Sequence, residues 1–380
     1  MSYEIKCVKC GGLATDILNY KCRCGAPLEV HVKVEFDKAK IRRGDYNVWR
    51  YKTFFPYISE GDIVSLGEGW TPTVKFNENL YFKLDFLSPT GSFKDRGSAV
   101  LISAIQKHIR KVGGYISEDS SGNSGASIAA YASRVGLKAK IFVPADVSGQ
   151  KFNQIRFYGC EIVKVEGERC KATEEACKPE KGKFYVGHVH HPIYRDGIRS
   201  LAYEIAEQFG WELPSRIYLP VASGTLLLGV AEGLEHLSRS GVIKNFPTIV
   251  ACQTKQFSPL YHRLKNLPYT PPVKITSVAD ALISGNPPCL QLMTDKMRMM
   301  EGESEIVDES QIYGGFIELA RKGFFVEPSS AVAYACYKKQ IENRTASKRE
   351  KAVIILTGTG LKTKPSTLNH FYELCVRAPR

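Results

Sequence analysis

The string Pro89-Thr90-Gly91-Ser92-Phe93-Lys94-Asp95-Arg96-Gly97 places one lysine just after a Pro/Gly/Ser break. From Asp95 to Val112 the apolar residues Val100, Leu101, Ala104, Ile105 and Ile109 recur at helical spacing, so Lys94 stands at a helix start. The positive end of the helix macrodipole disfavours the ammonium form there. A lysine that deprotonates easily is a better amine nucleophile, as carbonyl chemistry requires. An arbitrary lysine in this position is more often a solvated surface side chain. Other parts of the chain must therefore supply what the amine lacks.

Three small-residue turns are candidates. Ser120-Ser121-Gly122-Asn123-Ser124-Gly125 precedes an alanine-rich helix, and its N–H groups and hydroxyls suit a carboxylate. Ala222-Ser223-Gly224-Thr225, leading into Leu226, suits a phosphate at a helix start. Thr357-Gly358-Thr359-Gly360 closes the last strong strand. Each alone is what any α/β protein needs between strand and helix. With Lys94 they supply an amine, a phosphate cradle, a carboxylate loop and a polar group for a ring nitrogen, which are the needs of pyridoxal phosphate.

A second chemistry lies at the N-terminus. Cys7-Val-Lys-Cys10-Gly11 and Cys22-Arg-Cys24-Gly25 bring four thiols into a short segment that has little core of its own. Four thiolates suit tetrahedral zinc, and an all-cysteine set leaves no open position, so the metal would be structural. The Cys-x-Cys pair is one residue tighter than the usual spacing.

These residues sit on a regular framework. Strands are expected at Leu80–Leu84, Gly114–Ser117, Ala139–Val143, Glu161–Val165, Lys183–Val186, Arg216–Val221, Thr248–Gln253 and Ala352–Leu356. Helices are expected at Ala126–Arg134, Gln150–Tyr158, Arg169–Cys177, Arg195–Phe209, Leu226–Leu237, near Asp308–Lys322 and at Ser329–Glu342. Strands separated by helices argue for parallel α/β sheets covered on both faces, with ligands beyond the carboxyl ends of the strands.

Composition bounds the rest. The 380 residues, 43% hydrophobic and 24% charged, have room for two or three domains and read as an ordinary globular chain. No charged start leads into an apolar run, and Ile217–Ala231 is too short and too polar for a membrane span. A cytoplasmic protein is expected. Seven of the eleven cysteines are scattered singly, which reads as reduced thiols. The formal charge of +13 attracts anions, but the basic residues form no single block. Phosphorylated small molecules are favoured over nucleic acid as partners.

Five strings together resemble one family. Gly67-Glu-Gly-Trp-Thr-Pro72, Pro89–Gly97, Ser120-Ser-Gly-Asn-Ser-Gly-Ala-Ser127, Glu327-Pro-Ser-Ser-Ala331 and Leu356-Thr-Gly-Thr-Gly-Leu-Lys362 are similar to those of the fold-type II, tryptophan-synthase-β-like enzymes. Within that family they are most like the threonine synthases. The resemblance implies two parallel-sheet α/β domains with pyridoxal phosphate in the cleft, and a zinc-ribbon-like segment at the N-terminus. The expected division is 1–30 for the ribbon, 31–87 with 188–380 for a large domain, and 88–187 for a small one. A homodimer is expected on the same ground.

The resemblance also implies roles. Lys94 is the covalent anchor and the base, and Asn123 bonds the cofactor's ring hydroxyl. Ala222, Ser223, Gly224, Thr225 and Leu226 hold the cofactor phosphate, although this loop departs from the family's usual glycine/asparagine-rich form. Thr357 faces the ring nitrogen. A neutral hydroxyl there makes a weaker electron sink, which suits elimination and replacement better than transamination. Ser121, Gly122 and Ser124 bind the substrate carboxylate.

The implied reaction takes O-phosphohomoserine and water to threonine and phosphate. It calls for a cationic group on the leaving phosphate. In His188-Val-His-His-Pro192-Ile-Tyr194-Arg195-Asp196-Gly197, Tyr194 occupies the register of the family's arginine, with Arg195 one step along. That step is about 100° on a helix. Arg195, helped by His188 or His191, is the expected phosphate ligand in a shifted geometry. The alternatives are a related β-replacement or β-elimination enzyme, such as a cysteine or cysteate synthase using O-phosphoserine or a serine/threonine dehydratase, and a nucleic-acid-binding protein on a relict enzyme fold.

Overall fold

The structure, a computed structural model, describes residues 2–167 and 169–377; the side chain of Cys375 lies outside the described residues. The chain divides into two compact units. The first comprises Met1–Trp70, Ser88–Glu204 and Gly229–Lys244, and the second Thr71–Leu87, Ile205–Leu228 and Asn245–Arg380. Strands and helices are numbered along the whole chain.

In the first unit β1 (Tyr3–Cys7) and β2 (Leu28–Val32) form an antiparallel pair, with Cys7 opposite Leu28. A parallel four-stranded sheet runs β7-β6-β5-β8, made of β5 (Tyr115–Glu118), β6 (Ala139–Pro144), β7 (Glu161–Val165) and β8 (Lys183–Tyr185). Five helices belong to this unit: α1 (Lys94–Lys111), α2 (Asn123–Arg134), α3 (Gln150–Phe157), α4 (Arg169–Cys177) and α5 (Pro192–Ile198). The apolar stripe of α1 is buried as its spacing predicts: Val100, Leu101, Ile105 and Ile109 have no exposed surface. Burial of each such side chain contributes about 1.5–3 kcal/mol.

Two glycines let α1 and α5 approach closely. A Cβ at Gly97 would lie 2.6 Å from the Tyr194 ring, and one at Gly197 would lie 2.6 Å from the Arg96 carbonyl. Any larger residue at either position would force the helices apart. The spacing Lys94-x-x-Gly97 is thus a packing requirement as well as a motif.

The second unit is built on a six-stranded sheet ordered β11-β10-β9-β12-β4-β3. Its strands are β3 (Thr73–Lys75), β4 (Leu80–Lys83), β9 (Arg216–Pro220), β10 (Thr248–Thr254), β11 (Glu303–Val307) and β12 (Ala352–Ile355); only the β3–β4 pairing is antiparallel. Phe82, Tyr218, Val250 and Ile354 from four of these strands join Val332, Ala333 and Cys336 of α11 (Pro328–Glu342) in one core cluster. The chain also forms α6 (Ser200–Gln208), α7 (Thr225–Arg239), α8 (Pro259–Leu264), α9 (Leu290–Met299), α10 (Glu309–Arg321) and α12 (Pro365–Arg377).

The sequence reading lacks β1, β2, β3, α8, α9 and α12, and three further elements differ from it for local reasons. The helix expected at Arg195–Phe209 is two helices, α5 beginning earlier at Pro192 and α6 beginning at Ser200. Proline is well placed at a helix's first turn, where no N–H is needed. Helix α2 starts at Asn123 rather than Ala126, because Gly122 in extended conformation serves as its N-cap. Strand β11 escapes the sequence reading, since Glu303-Ser-Glu-Ile-Val reads as polar; it is a sheet edge, where only one side is covered. Among the described residues no helix is long and apolar enough to cross a membrane.

Candidate active site

Lys94 is the first residue of α1 and is half-buried, its Nζ 4.6 Å from the centre of the Phe93 ring. The turn before it is tied by the next residue. Asp95, fully buried, accepts from Thr90 N at 2.7 Å, from Thr90 Oγ1 at 2.6 Å and from Ser127 Oγ at 2.6 Å. Arg96, also fully buried, forks onto Glu204 at 2.7 and 3.0 Å. The residues of the Lys94–Gly97 string thus differ in role: Lys94 offers the amine, Asp95 clamps the turn, Arg96 forms a buried ion pair and Gly97 permits close approach.

The loop at the start of α2 is held in shape by Ser120, whose Oγ accepts from Gly122 N at 3.2 Å, while Gly122 O accepts from Ala126 N at 3.0 Å. A Cβ at Gly125 would run into the Ser120 carbonyl, so only glycine permits this turn. Ser121, Gly122 and Asn123 are half-buried and Ser124 is buried. These residues surround the N-terminus of a twelve-residue helix, a ready place for an anionic group.

Arg195, His191, Tyr194 and His188 all have partners within the protein. Arg195 has no exposed surface, and its terminal nitrogens donate to the carbonyls of Val189 and His190, each at 3.2 Å, and to that of Leu28. It thereby ties β2 to the turn before α5. His191 is the N-cap of α5, its Nδ1 accepting from Ile193 N at 3.3 Å. It is fully buried, and burial with the nearby Arg195 charge holds its pKa down to about 3. Tyr194 packs on the first turn of α1 and its hydroxyl donates to the Lys94 carbonyl at 3.0 Å. His188 is brought instead to Glu118: Nδ1 lies 2.6 Å from Oε1, and the main-chain N–H donates to Oε2 at 3.2 Å. Glu118 escapes the sequence reading because a charged residue at a strand end reads as exposed; it has no exposed surface.

In the second unit Gly224 takes a positive φ of 97°, and a Cβ there would strike the sulfur of Met293. The turn Ala222–Thr225 thus opens the fifteen-residue α7 with small side chains only. No bulky side chain of the turn bars a phosphate from its N–H groups. Thr357 follows β12, 6% exposed; its N–H donates to Ser330 Oγ at 2.6 Å and its Oγ1 lies 3.3 Å from the same oxygen. Ser330 does not stand out in the sequence, although it belongs to the Glu327–Ala331 string.

The four N-terminal sulfurs lie within 4.8 Å of one another. Cys7 and Cys24 are 3.5 Å apart, and Cys10 and Cys22 are 3.6 Å apart. A tetrahedron with bonds of about 2.3 Å has edges of about 3.8 Å, so the cluster could hold a metal ion. Burial raises the Cys7 thiol, but the N–H groups of Cys10 and Lys9 outweigh it and draw its pKa down to about 6.

The description "Pyridoxal-phosphate dependent enzyme" belongs to the family whose pattern matches residues 64–358. The chain belongs to this family. A threonine synthase of Methanocaldococcus jannaschii is 32% identical over 379 residues, covering 94% of this chain and 92% of that protein. One of Methanosarcina acetivorans is 27% identical over 387 residues, covering 97% and 94%. Among solved structures, maize serine racemase superposes with a TM-score of 0.68 at 20% identity, covering 90% of this chain and 98% of that one. That likeness speaks to the fold, which is the fold-type II α/β architecture. Groups of the kinds the family's cofactor needs are present in each unit: in the first an amine at a helix start, and in the second a turn of small residues at a helix start and a neutral hydroxyl at Thr357.

Proposed function

We propose that this chain is a threonine synthase, a lyase converting O-phosphohomoserine and water to threonine and phosphate. The observation that carries the reading is the 32% identity to the Methanocaldococcus jannaschii threonine synthase over nearly the whole of both chains. Pyridoxal phosphate, when bound, supplies the electron sink that acidifies the substrate's carbon–hydrogen bonds.

The chain's own residues supply the rest. Lys94 would hold the cofactor through its amine, and the same amine would take and return the substrate protons. Its place on the first turn of α1, with Asp95 and Tyr194 fixing the backbone on either side, holds the amine in one position. Ser223, Gly224, Thr225 and Leu226, with Ala222, receive the cofactor phosphate through N–H groups at the start of α7. Asn123 bonds the ring hydroxyl. Ser121, Gly122 and Ser124 would orient the substrate carboxylate at the start of α2, and Thr357, held by Ser330, would offer the ring nitrogen a neutral hydroxyl.

A structural zinc on Cys7, Cys10, Cys22 and Cys24, a homodimer and a cytoplasmic site of action complete the proposal. The sulfur geometry supports the first.

One observation favours a second reading. Tyr194 stands in the arginine register, and both terminal nitrogens of Arg195 donate to main-chain carbonyls. A dehydratase acting on serine or threonine, which loses no phosphate, has no need of an arginine there. Phosphate and product release from O-phosphohomoserine, compared with O-phosphoserine, serine and threonine, separates the two. Threonine formed only from the first supports the proposal; turnover of three-carbon substrates alone refutes it.

A further inference from the structure

A carboxylate and an imidazole are buried together at the carboxyl end of β5. Glu118 has no exposed surface and His188 is 8% exposed. Both carboxylate oxygens address one residue, Oε1 the His188 ring at 2.6 Å and Oε2 its main-chain N–H at 3.2 Å, so the ring is held in place. The ring lies against Tyr194, centroids 5.9 Å apart, and Tyr194 in turn reaches the Lys94 carbonyl at 3.0 Å. Glu118, His188 and Tyr194 thus form a line of contacts that ends at the main chain of Lys94, and the Lys94 charge acts on both members of the pair. A strand end that needed only packing would be filled by an apolar side chain, because burying ionisable groups is costly.

We propose that Glu118 and His188 titrate together with Lys94 as one coupled set and so set the charge on the Lys94 amine. They are positioning residues, and the inference rests on Lys94 being the reactive amine of the proposed function. Burial pushes the Glu118 carboxyl up and the His188 imidazole down, so the pair keeps one proton in its short bond rather than separating into ions. With that proton the pair is neutral, and without it the pair carries one negative charge. The Lys94 ammonium is favoured beside the negative pair and the free amine beside the neutral one.

Other titratable groups face the pair, and the Glu118 charge raises the Cys177 thiol and the Tyr185 hydroxyl, each already raised mainly by burial. Arg169 at the start of α4 and Lys94 itself favour the Glu118 carboxylate, and both oppose a charged His188, as does His190. Asp119 opposes the Glu118 charge; it accepts from Tyr185 OH at 2.9 Å and Thr173 Oγ1 at 2.5 Å. Tyr194 is kept protonated by burial, with the Glu118 and Asp95 charges acting in the same direction.

The test uses the full-length chain freed of cofactor. Labelling of Lys94 by a limiting acyl reagent across pH, read by peptide mass spectrometry, gives the midpoint of its amine. Glu118→Gln is expected to lower that midpoint by about one unit, an approximately tenfold larger free-amine fraction at a given pH below it. Glu342→Gln, at an exposed site, leaves it in place. An unchanged midpoint in folded Glu118→Gln overturns the proposal. If that variant does not fold, the reciprocal measurement decides, since coupling between sites is symmetrical. The imidazole NMR titration of His188 should move to higher pH in Lys94→Gln, and no movement overturns the proposal. Neither readout needs turnover. A chain that shows the coupled titration but makes no threonine refutes the proposed function alone, and a threonine synthase without the coupling refutes this inference alone.

Discussion

The Tyr194 hydroxyl donates to the main-chain carbonyl of Lys94 at 3.0 Å, while its ring occupies the space a side chain at Gly97 would need. One residue therefore fixes both the backbone under the amine and the approach of α5 to α1. Tyr194→Phe keeps the ring and removes the donor. The expected result is a loss of about 1 kcal/mol in stability, and a several-fold fall in kcat with KM nearly unchanged. Urea unfolding and steady-state kinetics check both. A KM effect without a kcat effect would return Tyr194 to substrate binding.

Gly224→Ala places a methyl against Met293 at a residue with φ of 97°. The backbone term alone costs about 1–2 kcal/mol. Cofactor affinity, measured by equilibrium dialysis, should fall at least about tenfold. Adding Met293→Ala should recover the part due to the collision and leave the backbone part.

Arg96 and Glu204 are both fully buried and bonded at 2.7 and 3.0 Å, and Glu204 also accepts from Trp70 N at 2.8 Å. Removing one partner strands the other charge in the core. Arg96→Met or Glu204→Leu alone should cost about 3–5 kcal/mol. The double variant should cost less than the sum of the two, as chemical denaturation would reveal.

Acid should destabilise the fold through its buried histidines. His236 donates from Nε2 to Val34 O at 2.7 Å, so Nδ1 accepts from Tyr203 OH at 2.5 Å; this neutral form is kept by burial down to about 3. His191 behaves alike, through burial and Arg195. Both folded values lie below the ordinary 6.5. Between those limits the unfolded chain binds more protons than the folded one, so stability present above about pH 6.5 is lost as pH falls towards 3. His236→Gln should flatten the fall in Tm with pH, even if it starts from a lower value.

Metal analysis should find one zinc per chain, lost in Cys10→Ser and in Cys22→Ser. Chelation should lower the Tm, because a metal that binds only the folded arrangement of the four sulfurs stabilises that fold. Intact stability without metal would leave the cysteines as unligated thiols.

Much of the fold is legible in the sequence, and the reasons are local. The Lys94–Gly97 string can be read because each residue type in it does something that few others can do. Strand Glu161–Val165 and helix Arg169–Cys177 fall where their patterns place them. What escapes depends on contacts between distant residues. Nothing local in the sequence shows that the Arg195 guanidinium meets the carbonyl of Leu28, far off in the chain. Glu118 reads as a solvated loop residue until His188 closes over it. The break between α5 and α6 has no proline or glycine at Arg199 to announce it; Arg199 is held by Asp196 and the Phe54 carbonyl.

The central claim is that Lys94 is the covalent anchor of the cofactor. Borohydride reduction of the purified holoenzyme, followed by proteolysis and mass mapping, tests it directly. A reduced pyridoxyl mass on the peptide carrying Lys94, lost in Lys94→Ala, is the predicted result. Label on another lysine, or none on a chain that has bound pyridoxal phosphate, would contradict it.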